Sequence, residues 1–116
     1  MKALDVKTIE HDHPSRLKLS IIKYHNIAVY VSTIDVCFRR KESQMVAILD
    51  KKLGYTHNYE TAIWYQTLFA RSKIAVVETY NRKDDALKGH KKWLNEVLKG
   101  RKHYRDISGM FTITLP

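Results

Sequence analysis

The chain has few of the residues that would commit it to several common architectures. Its single cysteine, Cys37, can close no disulfide within the chain and can form no CxxC pair for zinc, which removes disulfide scaffolds and zinc modules. Only Pro14 and Pro116 are prolines, so no proline interrupts a helix or strand between them. No apolar run nears the roughly 18 residues of a membrane helix, and the opening MKALDVKTIEHDH has no apolar signal core. No membrane association and no export by the standard secretory route are expected. Acids are also scarce: 12 of them stand against 21 lysines and arginines, for a net charge of +9. That surplus attracts anions without choosing among DNA, RNA, acidic proteins and phosphorylated small molecules. GxGxxG, Walker A and GxSxG motifs are absent, so no cofactor, no catalytic residue and no enzymatic activity are expected.

What is present is a globular balance, with 44% apolar residues over 116 positions, enough for one core. A single α+β domain over residues 1–116, with a polar N-terminal lead of about 1–15, is expected. Leu17, Leu19 and Ile21 alternate with polar residues as in a half-buried strand, and His25-Asn26 turns the chain into the β-branched run NIAVYVSTIDVCF. FRRKES, from Phe38 to Ser43, reads as an exposed loop or strand end. Met45, Val46, Ile48, Leu49 and Leu53 fit a short helix closed by Gly54 or a strand equally well. YETAIWYQTLF and SKIAVVETY read as two strands paired across a short link. Asn81 stands as an N-cap with Asp84 three positions on, and Leu87, Trp93, Leu94, Val97 and Leu98 form one buried stripe of a helix of about 18 residues that ends at Gly100. GMFTITLP reads as a last strand. The expected architecture is an antiparallel sheet of about four to five strands with one long amphipathic helix on one face.

Among the polar residues, His11 and His13 form too small a set for a metal site, and none is expected. His90 shares the sheet-facing side of the helix with Ala86, Trp93 and Val97, and reads first as a core histidine hydrogen-bonded to a carbonyl, with Gly89 allowing close approach to the sheet. From Arg82 to Arg105, nine bases stand against three acids, which a solvated helix face explains as readily as a partner does. A sharper reading joins Arg39, Arg40 and Arg71 to the aromatics Trp64, Tyr65, Phe69 and Tyr80. Guanidinium groups hold phosphates through paired hydrogen bonds, and aromatic faces stack bases at about 1–3 kcal/mol each.

VSTIDVCFRR (Val31–Arg40), YETAIWY (Tyr59–Tyr65) and ETYNRKDDALKGHKKWL (Glu78–Leu94), about a third of the chain, resemble a widespread family of small bacteriophage proteins. That family's pattern runs roughly STV-F-LG-DH, ETMVFG, then a Y-x-T-x-EEA-x-x-GH helix. Ser32, Thr33, Glu60, Thr61, Tyr80, Ala86, Gly89 and His90 match it. The chain departs from it at Cys37-Phe38-Arg39-Arg40, where the family has Gly-x-Asp-His, and at Trp64-Tyr65, where it has Phe-Gly. Within that group the chain is similar to the Thoeris anti-defence sponge proteins, which sequester cyclic ADP-ribose isomers made by host TIR-domain enzymes. The resemblance implies a homo-oligomer in the cytoplasm of an infected bacterium, with ligand pockets between subunits and binding without turnover. Joined to the residue reading, it gives Arg39, Arg40 and Arg71 on phosphates, Trp64, Tyr65 or Phe69 under the base, and Lys91 or Arg105 closing the pocket. A nucleic-acid-binding phage accessory protein, using the strip from Arg82 to Arg105, is the competing expectation.

Overall fold

The structure, a computed structural model, describes residues 2–116. Five antiparallel strands form a meander in the order β1 (Asp5–Glu10), β2 (Arg16–Tyr24), β3 (Ile27–Asp35), β4 (Tyr59–Thr67) and β5 (Ala75–Tyr80). Helices α1 (Val36–Glu42) and α2 (Gln44–Leu53) lie between β3 and β4. After β5 come the 16-residue helix α3 (Lys83–Leu98) and the small hairpin β6 (His103–Arg105) and β7 (Thr112–Thr114). The fold is thus the expected α+β arrangement of an antiparallel sheet with one long helix packed on it.

Alternation along the strands decides which side α3 covers. Ser20 and Ile22 on β2 stand beside Val31 and Val29 on β3, and Val31 stands beside Ile63 on β4. These positions point one way and are buried. Helix α3 meets them with Ala86, Gly89, His90, Trp93 and Val97, the 3-and-4 spacing of a single stripe. Tyr104, Ile113 and Leu115 of the terminal hairpin complete that cluster. The other set, including Ile21, Tyr30, Ile34, Trp64 and Val76, faces away from α3.

Four local readings are corrected. The polar lead contains a strand, β1, because its alternating charges sit on an exposed sheet edge where few apolar residues are needed. The β3 run stops at Asp35, whose carboxylate accepts the Phe38 N–H at 3.1 Å and caps α1, so Phe38 to Glu42 are helical rather than loop or strand end. The undecided stretch is helix α2, capped by Ser43 Oγ and closed by Gly54 at φ 74°. Helix α3 starts one residue later than expected, with Arg82 at the N-cap and no side-chain cap; the Asn81 carbonyl instead accepts the Asn58 Nδ2–H at 3.0 Å.

Candidate functional site: the open face of the sheet

The face that α3 leaves uncovered carries a hollow of about 430 Å³. Its lining includes Arg16 from the start of β2, Ser32 and Ile34 from β3, Arg39 from α1, and Glu60 and Trp64 from β4. Strand register fixes this grouping: Ile34 lies beside Glu60, and Ser32 lies beside Ala62. The α1 cap at Asp35 turns the chain so that Arg39 comes back over β4, 3.8 Å from Glu60 Oε1.

The hollow joins flat and cationic groups. Trp64 stacks on Tyr30, its cross-strand neighbour, with ring centroids 5.2 Å apart and planes 6° from parallel, which fixes the indole in one orientation. Arg39 retains a side chain 53% exposed and only a long contact with Glu60, so its guanidinium is free for a bidentate partner. Arg16 bonds Asp12 through one terminal nitrogen at 3.2 Å, while its Nε–H has no acceptor. Glu60 is nearly buried and receives the His57 Nε2–H at 3.0 Å, leaving a compensated carboxylate in the wall. At the rim, Ser15 donates through both its backbone N–H and its hydroxyl to His13 Nδ1, two bonds closed within one turn.

Beneath α3 lies a different polar assembly. His90 Nε2 is 2.8 Å from Ser20 Oγ and Nδ1 is 2.7 Å from Thr33 Oγ1; Ser20 continues to Thr8, and Thr33 continues to Thr61 at 2.7 Å. Tyr80 donates to Glu78 at 3.0 Å and lies 3.2 Å from Thr61, while Glu78 also receives Trp93 Nε1–H and the Lys92 ammonium. The chain of bonds crosses all five strands. Burial, with the Lys18 charge nearby, holds the His90 imidazole down at about 4, so it is neutral near pH 7. Burial alone would raise the Glu78 carboxyl, but hydrogen bonds from Lys92, Trp93 and Tyr80 and the Lys92 charge bring it below the ordinary value. The carbonyl partner expected for His90 is replaced by hydroxyls because Ser20 and Thr33 stand where a strand carbonyl cannot point, on the helix-facing side of the pleat.

Of the residues singled out from sequence, Arg39 and Trp64 come together and the others do not. Arg40 points to α2, bonding Asp50 at 2.8 Å and the Tyr55 carbonyl at 3.0 Å, so it clamps the two short helices. Tyr65 is one residue from Trp64 and therefore on the opposite face, packed against the core. Phe69 is 92% exposed in the β4–β5 connection, and Arg71 lies in the same connection, bridged to Gln66. Lys91 is on the solvent side of α3, and Arg105, on the small hairpin, bonds the Gly109 carbonyl. The basic strip is partly engaged: Lys92 pairs with Glu78, and Arg101 lies over the rings of Trp93 and Tyr104. Sequence reasoning missed Arg16, Tyr30 and Glu60 as site residues; the alternation that put Trp64 opposite Tyr30 was the signal available for one of them.

A broader depression of about 790 Å³ lies at the start of α3, where Tyr55, His57, Asn81 and Arg82 meet Asp85. Its lining has one arginine and one acid and no indole, against two arginines, one acid and a fixed indole on the open sheet face. Among the described residues no helix is long and apolar enough to cross a membrane. Comparison of the chain with family models, curated proteins and solved structures gives no match.

Proposed function

We propose that this protein captures a phosphorylated nucleotide on the open face of its sheet and releases it unchanged, acting as a phage sponge for a cyclic ADP-ribose type immune signal. The observation that carries this reading is the convergence of Arg16, Arg39 and the Trp64 indole on one hollow of about 430 Å³. That volume is within the range of small-molecule sites, about 300–1,000 Å³. A base extends the Tyr30–Trp64 stack, the two guanidiniums take the phosphate oxygens, and the Glu60 carboxylate accepts from ribose hydroxyls. Ser15 and His13, at the rim, bond each other within one exposed turn.

Isothermal calorimetry with cyclic ADP-ribose isomers tests this reading. Saturable heat, with the ligand recovered intact by chromatography after denaturing the protein, supports it. Absence of heat with every isomer overturns the ligand class, and recovery of a cleaved product overturns capture without turnover. Binding to long nucleic acid with a steep salt dependence, lost on neutralising Lys88, Lys91 and Lys99, would favour the basic strip instead.

A further inference from the structure

Helix α2 (Gln44–Leu53) presents its apolar residues outward. Met45, Ile48, Leu49 and Leu53 follow the 3-and-4 spacing of one stripe, and each is between 50% and 72% exposed. The half-buried side is the opposite one, with Val46, Ala47 and Asp50, and the Arg40–Asp50 pair at 2.8 Å holds it down. No residue of α2 is buried. A helix of ten residues is shorter than the about 12–15 at which isolated helices become even marginal in water, and tertiary burial of an apolar face normally makes up the difference. Here that face has no cover within the chain.

Charge identifies the cover. Lys51 follows Ile48 by three positions, and Lys52 lies within the stripe itself, four after Ile48 and three after Leu49. Both lysines are exposed and enter no ion pair among the described residues. Asp50, the one acid of the helix, is already neutralised by Arg40. The stripe therefore combines apolar area with uncompensated positive charge, and its occupant must be apolar with an anionic border. Lys52 narrows the choice further. Beneath a protein groove its ammonium would be desolvated inside the contact, at a cost that only a matched acid offsets. A second copy's stripe supplies no such acid, because Asp50 is spoken for. At a lipid surface the lysine stem lies along the acyl boundary while the ammonium reaches the phosphates. We infer that α2 docks in the plane of an anionic phospholipid surface, seating Met45, Ile48, Leu49 and Leu53 among the upper acyl carbons and Lys51 and Lys52 on the phosphates.

The expectation of no membrane association rested on the lack of an apolar run of spanning length, and no described helix has one. A helix that lies in the interface needs only one apolar side. None of the four stripe residues lines the hollow on the open face, so the docking stands or falls independently of the nucleotide reading.

Flotation of the full chain with vesicles tests the docking, comparing phosphatidylcholine alone with equal parts phosphatidylcholine and phosphatidylglycerol. Wild type is expected to float with the anionic vesicles and to stay behind with the neutral ones. A net charge of +9 attracts anionic lipid by itself, so the deciding variant keeps every charge. Ile48→Gln/Leu49→Gln is expected to lower the partition coefficient on the order of 100-fold, with unchanged circular dichroism. Lys51→Gln and Lys52→Gln should each lower it about fivefold, whereas Lys88→Gln/Lys91→Gln on α3 should leave it within about twofold. Amide exchange in α2 should slow on the anionic vesicles. Failure of wild type to float, equal flotation on both vesicle types, or flotation of Ile48→Gln/Leu49→Gln at the wild-type level overturns the proposal. So does a wild type that, in place of floating, forms a dimer which Ile48→Gln/Leu49→Gln separates into single chains, since the stripe would then belong to a second copy.

Discussion

Gly89 offers a sharp test of how α3 is seated. A methyl group at this position would fall within the ring of Tyr80, meeting its hydroxyl, Cζ and Cε1. Glycine is therefore required by the close approach of helix and strand rather than by backbone conformation. On helix propensity alone Gly89→Ala would stabilise the protein by about 1 kcal/mol. Against this stand overpacking of about 1–3 kcal/mol and disturbance of the Tyr80 hydroxyl. That hydroxyl bonds neutral Thr61 and ionised Glu78, contributions of about 1 and about 1.5–3 kcal/mol. With both bonds lost, the net expectation is destabilisation of about 2.5–6 kcal/mol, read as a lower midpoint in urea denaturation at unchanged slope. In a Tyr80→Leu background the ring atoms are gone, and the same substitution is expected to stabilise by about 1 kcal/mol. A Gly89→Ala variant as stable as wild type, or the same loss in both backgrounds, would refute this account of the helix–sheet contact.

The buried His90 makes stability depend on pH. Its imidazole titrates at about 4 in the folded chain and near 6.5 unfolded, so the unfolded state takes up the proton first and stability falls as pH drops between these values. Lowering pH from 7 to 5 is expected to cost about 2 kcal/mol in denaturant titrations, a dependence that His90→Gln should abolish. Arg40→Ala, which removes the bonds to Asp50 and the Tyr55 carbonyl, is expected to cost on the order of 2 kcal/mol and to speed amide exchange in α1 and α2 while leaving nucleotide affinity unchanged. Trp64→Ala should weaken nucleotide binding about 5- to 150-fold, the equivalent of losing one stacked base, whereas Phe69→Ala should not alter the titration isotherm.

The sheet and its helix were legible because their signals are periodic. Leu17, Leu19 and Ile21 alternate and mark β2 as a strand, although the residues that it turns to α3 are Ser20 and Ile22, while Ala86, Trp93 and Val97 recur at helical spacing on the side of α3 buried against the sheet. Helix α1 was not legible, since Val36 and Cys37 extend an apolar, β-branched run that is stopped by the hydrogen bond from the Phe38 N–H to the Asp35 carboxylate. Strand β1 was hidden for the opposite reason: an exposed edge needs no apolar pattern. The site was half legible. Alternation separates Trp64 from Tyr65 onto opposite faces once the sheet side of β4 is known, yet no local pattern tells which of two adjacent arginines crosses back to the strand. Arg39 and Arg40 are divided by tertiary partners, Glu60 for one and Asp50 for the other, and those partners are ten or more residues away. The basic strip on α3 was visible as charge, but its engagement with Glu78 and Trp93 depended on packing.

The proposed nucleotide site is the open face of the sheet, around Arg16, Arg39 and Trp64. Backbone and indole chemical shifts of isotope-labelled protein, followed while a cyclic ADP-ribose isomer is added, test it most directly. Saturable changes are expected at Arg16, Ser32, Ile34, Glu60 and the Trp64 indole N–H, with Lys88 and Lys91 unmoved. Changes confined to α3 or to the depression around Tyr55 and Arg82, or no changes at all, would contradict it.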